Sequence, residues 1–172
     1  MAGMVAGVPM GLFMMLASGT WGNAGVYTPW YRIAAVLDPG PLEVSRQEAA
    51  TGSPFWLDTQ SAVPGFCVHL ALAGFFGTLF VLLARGGWVA RPAGLVIAGG
   101  AWGLLVAAVM VPVLQLAARS LGGGTAIADL PGELGWPTYL AMHLVYGLSL
   151  GAVLALGRAR SGATGRRRNV QL

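Results

Sequence analysis

Charge is what this chain of 172 residues has least of: 9% of its residues are charged and 56% are hydrophobic, where soluble domains carry about 25% charged residues. Lysine is absent, so all 10 basic residues are arginine. Cysteine occurs once, at Cys67, which excludes an intrachain disulfide and any paired-cysteine metal or redox motif. Its apolar neighbours predict an inert thiol in the core. Carboxylates are missing from every long apolar stretch, so no acid pair for proton-transfer chemistry forms there. No nucleophile stands beside a base, and the glycines of "SLGGGT" at 120–125 lack the lysine that a phosphate-cradling loop needs. That segment reads as a flexible outer connector, and no enzyme is expected. A basic leader is lacking too. "MAGMVAGVPM" has no positive n-region, which predicts that the first apolar run stays as a helix and is not cleaved after "LASG".

What the chain does have is apolar length, with a mean hydropathy of +0.69. Met1 to Tyr31, Ser61 to Ala84, Pro92 to Ala118 and Leu134 to Gly157 each contain no charged side chain. About 20 apolar residues in a helix cross the hydrocarbon layer, so each run is long enough to span. The runs lack the period-two alternation of barrel strands. The expected fold is therefore all-α: one transmembrane domain over 1–172, with helices near 4–28, 62–84, 93–117 and 136–157 and a basic tail at 158–172. Trp30 and Tyr31 after Pro29 suggest a short interfacial helix at 30–37, with Pro29 ending or kinking the first span. Trp56, Trp88 and Trp136 complete an aromatic belt at the helix ends.

Arginine placement predicts orientation. Arg85, Arg91, Arg158, Arg160, Arg166, Arg167 and Arg168 fall at one end, and Arg32, Arg46 and Arg119 at the other with all 6 acids. Basic residues in short loops and tails stay inside, which places both termini in the cytoplasm of a bacterial cell and the chain in its cytoplasmic membrane. The tail reads as a topology determinant resting on anionic lipid, and no nucleic-acid partner is expected. An alanine-, glycine- and arginine-rich composition is also what a GC-rich genome yields.

Small residues recur four apart in every span: Gly3, Gly7 and Gly11; Ala73 and Gly77; Gly99 and Gly103; Gly147 and Gly151. Close backbone approach through such residues is how helices associate in lipid, so a compact four-helix bundle follows, with the Gly3, Gly7 and Gly11 edge as a candidate homodimer or partner-subunit surface. The methionines of the first helix read as gap-fillers against these glycines. The halves also echo each other. "GTWG" at 19–22 matches "GAWG" at 100–103, Pro29 matches Pro112, and His69 matches His143, offsets of 81, 83 and 74 that suggest two duplicated helix pairs.

The two histidines carry the functional question. "HLALAGFFG" begins at His69 and "HLVYGLSLG" at His143, each ring about 10 Å below the outer end of its helix at about 1.5 Å per residue. In an up-down-up-down bundle these helices lie on a diagonal, so inward imidazoles would face each other. Three readings follow from that placement. Each ring makes a structural interhelical hydrogen bond; or the pair holds a b-type haem, with Gly77, Gly147 and Gly151 making room for the porphyrin and Arg32 or Arg119 pairing with its propionates; or the pair, with Gln115 and Arg119, lines a small-solute or proton pathway. A metal site is not expected, because no third ligand stands at that depth. The stretches "VHLALAGFFG" and "MHLVYGLSLG" resemble small bacterial multi-pass proteins of the YagU-like type. That resemblance implies a multi-pass fold with glycine-rich helices, and it brings no catalytic residues.

Overall fold

The computed structural model describes residues 1–36, 38–85, 91–121, 125–128 and 130–169, with side chains described as far as residue 159 and outside 121–126. Among the described residues the chain is all-helical: α1 (Ala2–Gly19), α2 (Thr28–Ala34), α3 (Gly40–Ala50), α4 (Thr59–Ala84), α5 (Pro92–Leu121), α6 (Thr125–Ala128), α7 (Leu130–Leu134) and α8 (Trp136–Asn169). Four of these, α1, α4, α5 and α8, are long and apolar enough to cross a membrane. Many of their large side chains point outward, while small ones line the seams between them. On α1, Val5, Val8, Leu12 and Leu16 are exposed while Gly3, Ala6, Gly7 and Gly11 are buried. In water such faces would aggregate. In lipid, where apolar surface is not penalised, the packing energy comes from close backbone approach, and the inversion is what is expected.

Two antiparallel pairs make the bundle. In the first, α1 lies on α4: a Cβ on Gly3 would fall 2.8 Å from the Gly77 Cα, and one on Gly7 2.8 Å from the Ala73 Cβ. In the second, α5 lies on α8: a Cβ on Gly99 would fall 3.0 Å from the Gly151 Cα, and one on Gly103 3.1 Å from the Gly147 Cα. The pairs join where α1 packs along α8, while α4 and α5 barely touch. The second and fourth spans, α4 and α8, therefore sit on a diagonal.

These contacts correct several expectations. The Gly3, Gly7 and Gly11 edge is not an outer surface, because α4 and Trp30 of α2 already cover it. The first span ends at Gly19, not near 28, because the next residues turn back: Gly22 N–H donates to Ala17 O, Ala24 N–H to Ser18 O, and Asn23 adopts a left-handed φ of 47°. "GTWG" is thus a turn and "GAWG" is mid-helix, so the 81-residue match is not structural. Pro29 opens α2 while Pro112 lies inside α5, which removes the 83-residue match as well. Gly3, Gly7, Gly11 and Met14 of α1 are buried, as are Gly99, Gly103, Ala107 and Met110 of α5, each 96 residues further on. His69 and His143 keep their offset of 74, since each stands four residues before the small residue that meets the partner helix.

The loop end is more structured than the sequence suggested. α2 is not a surface helix: Trp30 is 4% and Tyr31 0% exposed, and Gly65 of α4 lets the Trp30 carbonyl approach its backbone. The interface role expected for these two aromatics passes to the exposed Trp136 and half-buried Trp56, while Trp88 lies outside the described residues. α3, which the polar composition of 40–50 did not announce, is tied to α2 by a 2.9 Å bond between the Ser45 and Thr28 hydroxyls. Cys67 is exposed on the outer face of α4 and not in the core. At the opposite end α8 runs past Gly157 into the basic tail, and Arg158 donates to Ala84 O at 3.0 Å, capping the last turn of α4. Of the connector "LGGGTA", residues 122–124 lie outside the described residues.

Candidate functional site

The gap between α4 and α5 at the loop end widens into a cavity of about 420 Å³. Its walls are mostly apolar. Met10 and Met14 come from α1, Met110 from α5 and Met142 from α8, and its polar members are Arg32, His69, Tyr139, His143 and Tyr146. The lining also includes Val68 and Leu72 of α4 and Val113 of α5, which are 47%, 39% and 43% exposed. The cavity therefore opens sideways, toward the surface that the four spans present to lipid.

Both imidazoles reach this cavity and both are buried, His69 at 6% and His143 at 4% exposure. Each is held by a backbone carbonyl on one nitrogen. His69 Nε2–H donates to Gly7 O of α1 at 2.9 Å, a reach made possible by the missing side chains at Gly7 and Gly11. His143 Nδ1–H donates to Tyr139 O, one turn back on its own helix, also at 2.9 Å. A carbonyl oxygen only accepts, so these bonds assign the protons: Nε2–H on His69 and Nδ1–H on His143. The other nitrogens, His69 Nδ1 and His143 Nε2, then carry lone pairs, and neither meets a donor among the described residues. An aromatic ring steadies each imidazole: Trp30 at 5.3 Å from His69 and Tyr139 at 4.6 Å from His143, centroid to centroid.

Two tyrosines absent from the sequence-derived candidates shape the rest of the cavity. Tyr139 donates its hydroxyl to Ala107 O at 2.9 Å, bridging α8 to α5. Tyr146 donates to Ala73 O at 2.6 Å, crossing the bundle from α8 to α4 below the histidines. Both fall one helical turn from His143, Tyr146 as the fourth residue of "HLVYG", and a polar ring on an inward face is the signal that marks them. Above the cavity, Arg32 of α2 is 6% exposed and pairs with Glu133 of α7, which also takes two bonds from Arg46 of α3 at 2.6 and 2.7 Å. One carboxylate thus draws three loop-end helices together over the site.

Of the remaining candidates only Arg32 lines the cavity. Gly77, Gly147 and Gly151 do not open space under the imidazoles, because the backbones of Gly3, Gly99 and Leu95 fill it. Gln115 and Arg119 are exposed on α5 and do not line the cavity. Arg32 is engaged with Glu133. Among the described residues no three of His, Cys, Asp and Glu gather as a metal site.

No family model, no curated protein and no solved structure matches this chain. The resemblance to YagU-like proteins accordingly rests on the two histidine stretches alone.

Proposed function

We propose that this chain is an integral protein of a bacterial cytoplasmic membrane, with both termini inside, that binds a small apolar molecule entering its outer half sideways from the lipid. One observation carries the reading: a cavity of about 420 Å³, lined by both histidines, has walls on α4 and α5 that include the partly exposed Val68, Leu72 and Val113. Ligand sites of roughly 300–1,000 Å³ with apolar walls and a few convergent polar groups are the usual form of small-molecule pockets. Among the described residues α2 and the Arg32–Glu133–Arg46 cluster lie over the loop end of the cavity, which favours entry of a membrane-soluble ligand from the side.

A haem held by His69 and His143 is the alternative from the sequence. It asks both rings to present a nitrogen to one iron, which would have to be Nδ1 of His69 and Nε2 of His143. The space it needs beneath the rings is occupied by backbone, so the residues as arranged do not fit a porphyrin. A pathway for solute or protons finds no continuation through Gln115 or Arg119, which face outward.

The test compares the wild type with Ala117→Phe, which fills the cavity wall at a half-buried position on α5. Both proteins are purified in mild detergent and extracted with organic solvent for mass spectrometry. A small apolar species retained by the wild type and lost from the variant is the expected result; identical extracts would sink the reading. A cytoplasmic reporter fused after Leu172 should be active, as the orientation requires.

A further inference from the structure

The polar atoms of the cavity are unevenly committed. Its hydroxyl donors are used: Tyr139 on Ala107 O and Tyr146 on Ala73 O. The Arg32 charge is met by Glu133. Each imidazole N–H is used on a carbonyl, Gly7 O for His69 and Tyr139 O for His143. What the two imidazoles offer a guest is the lone pairs of His69 Nδ1 and His143 Nε2. A guest that supplies an O–H can satisfy these lone pairs, each such bond contributing about 1 kcal/mol.

We infer that the cavity takes a neutral, membrane-soluble phenol, its hydroxyl donating to the free nitrogen of His143 or His69 and its ring lying among the methionines. The inference rests on the proposed role as a binder of apolar molecules and gives that molecule a head group. Two observations favour an aromatic body over an alkyl alcohol. Four methionines, Met10, Met14, Met110 and Met142, line the space, and thioethers pack against ring edges and adapt to their shape. Phe76 and the tyrosines Tyr139 and Tyr146 add flat walls on the same cavity.

The experiment uses the full-length protein in lipid nanodiscs and two probes that differ by one donor: 4-hexylphenol and its methyl ether, 4-hexylanisole. Binding is followed by intrinsic tryptophan fluorescence, with ligand expressed as mole fraction in the bilayer to remove partition differences. The phenol should bind about tenfold more tightly than the ether, the effect of one good hydrogen bond. In His143→Phe that preference should shrink toward onefold while ether binding is kept. The wild-type comparison of the two probes needs no variant, so the inference stands or falls even if His143→Phe fails to fold. Equal affinity for phenol and ether in the wild type would overturn the hydroxyl inference and leave the cavity-binder reading standing. Binding of neither probe, or phenol binding unchanged in Ala117→Phe, would overturn both.

Discussion

Replacing Gly147 with alanine tests the bundle where its backbones are closest. A Cβ there would lie inside van der Waals contact of the Gly99 carbonyl oxygen, 2.8 Å from the Gly103 nitrogen and 2.9 Å from the Gly103 Cα. All three obstacles are backbone, so no side chain can rotate away and α5 must move as a body. Restoring ordinary C···O separation requires a shift of about 1 Å, and a gap of that size forfeits a quarter to a half of each dispersion contact along the seam. Overpacking of this kind costs about 1–3 kcal/mol. The control is Gly157→Ala on the same helix, where a new Cβ meets nothing within 4 Å. There only helix propensity acts, which favours alanine by up to about 1 kcal/mol. The two variants should therefore diverge by roughly 2–3 kcal/mol in a reversible mixed-micelle unfolding titration, with Gly147→Ala below the wild type and Gly157→Ala at or above it. Equal stability of the two would refute the close α5–α8 seam and the bundle built on it.

Other substitutions probe the loop end and the cavity floor. Glu133→Gln weakens the carboxylate that both Arg32 and Arg46 hold, and should cost about 1–3 kcal/mol in the same titration. Arg46→Ala, at the 36% exposed side of the cluster, should change stability by less than about 1 kcal/mol. Tyr146→Phe removes the 2.6 Å bond to Ala73 O and should cost about 1 kcal/mol, with a matching rise in hydrogen exchange around Ala73 if the bond ties α8 to α4. Burial pushes the Tyr31 hydroxyl above its ordinary 10.0, so the folded state keeps its proton where the unfolded state has lost it. Stability is then fully present below about pH 10 and falls as pH rises beyond it, and Tyr31→Phe should flatten that fall in thermal melts from pH 8 to 11.

Span number and class were legible because charge-free length and small-residue spacing act locally along the chain. The same spacing misled where it was taken for an outer surface, since Gly3, Gly7 and Gly11 serve an internal partner that only the three-dimensional arrangement identifies. The end of α1 was illegible for a different reason. "GTWGNAG" is apolar enough to continue a span, and the turn depends on two backbone bonds and a left-handed Asn23 that hydropathy does not register. Glu133 was visible only as one of the acids of an outer loop. Its role arises from bringing Arg32 and Arg46, distant in sequence, to one carboxylate. At the site, sequence symmetry pointed to His69 and His143, but the committed nitrogens and the spent tyrosine hydroxyls are properties of neighbours.

That symmetry also breaks in an informative way. His69 and His143 hold the same register against their partner helices, yet they use their rings differently. On α4 the facing residues Gly7 and Gly11 leave room beside the ring, a Cβ on either falling 3.6 Å from the His69 Nε2, so the imidazole bonds across to α1 and works as part of that seam. On α8 the facing Gly103 lies against the His143 backbone, which closes the seam below the ring. The His143 imidazole turns instead to its own helix, bonding to Tyr139 O through Nδ1. Of the two nitrogens left over, His143 Nε2 is the one whose ring makes no hydrogen bond to another helix, so removing that ring should disturb packing least. A double comparison follows: His69→Phe should lower stability more than His143→Phe, by about 1 kcal/mol for the lost bond between helices. His143→Phe should be the variant that more fully erases the preference for a hydroxyl. If instead His143→Phe were the more destabilising change, its imidazole would be a structural member of the α5–α8 seam, and the division between a histidine that clamps and a histidine that binds would fail.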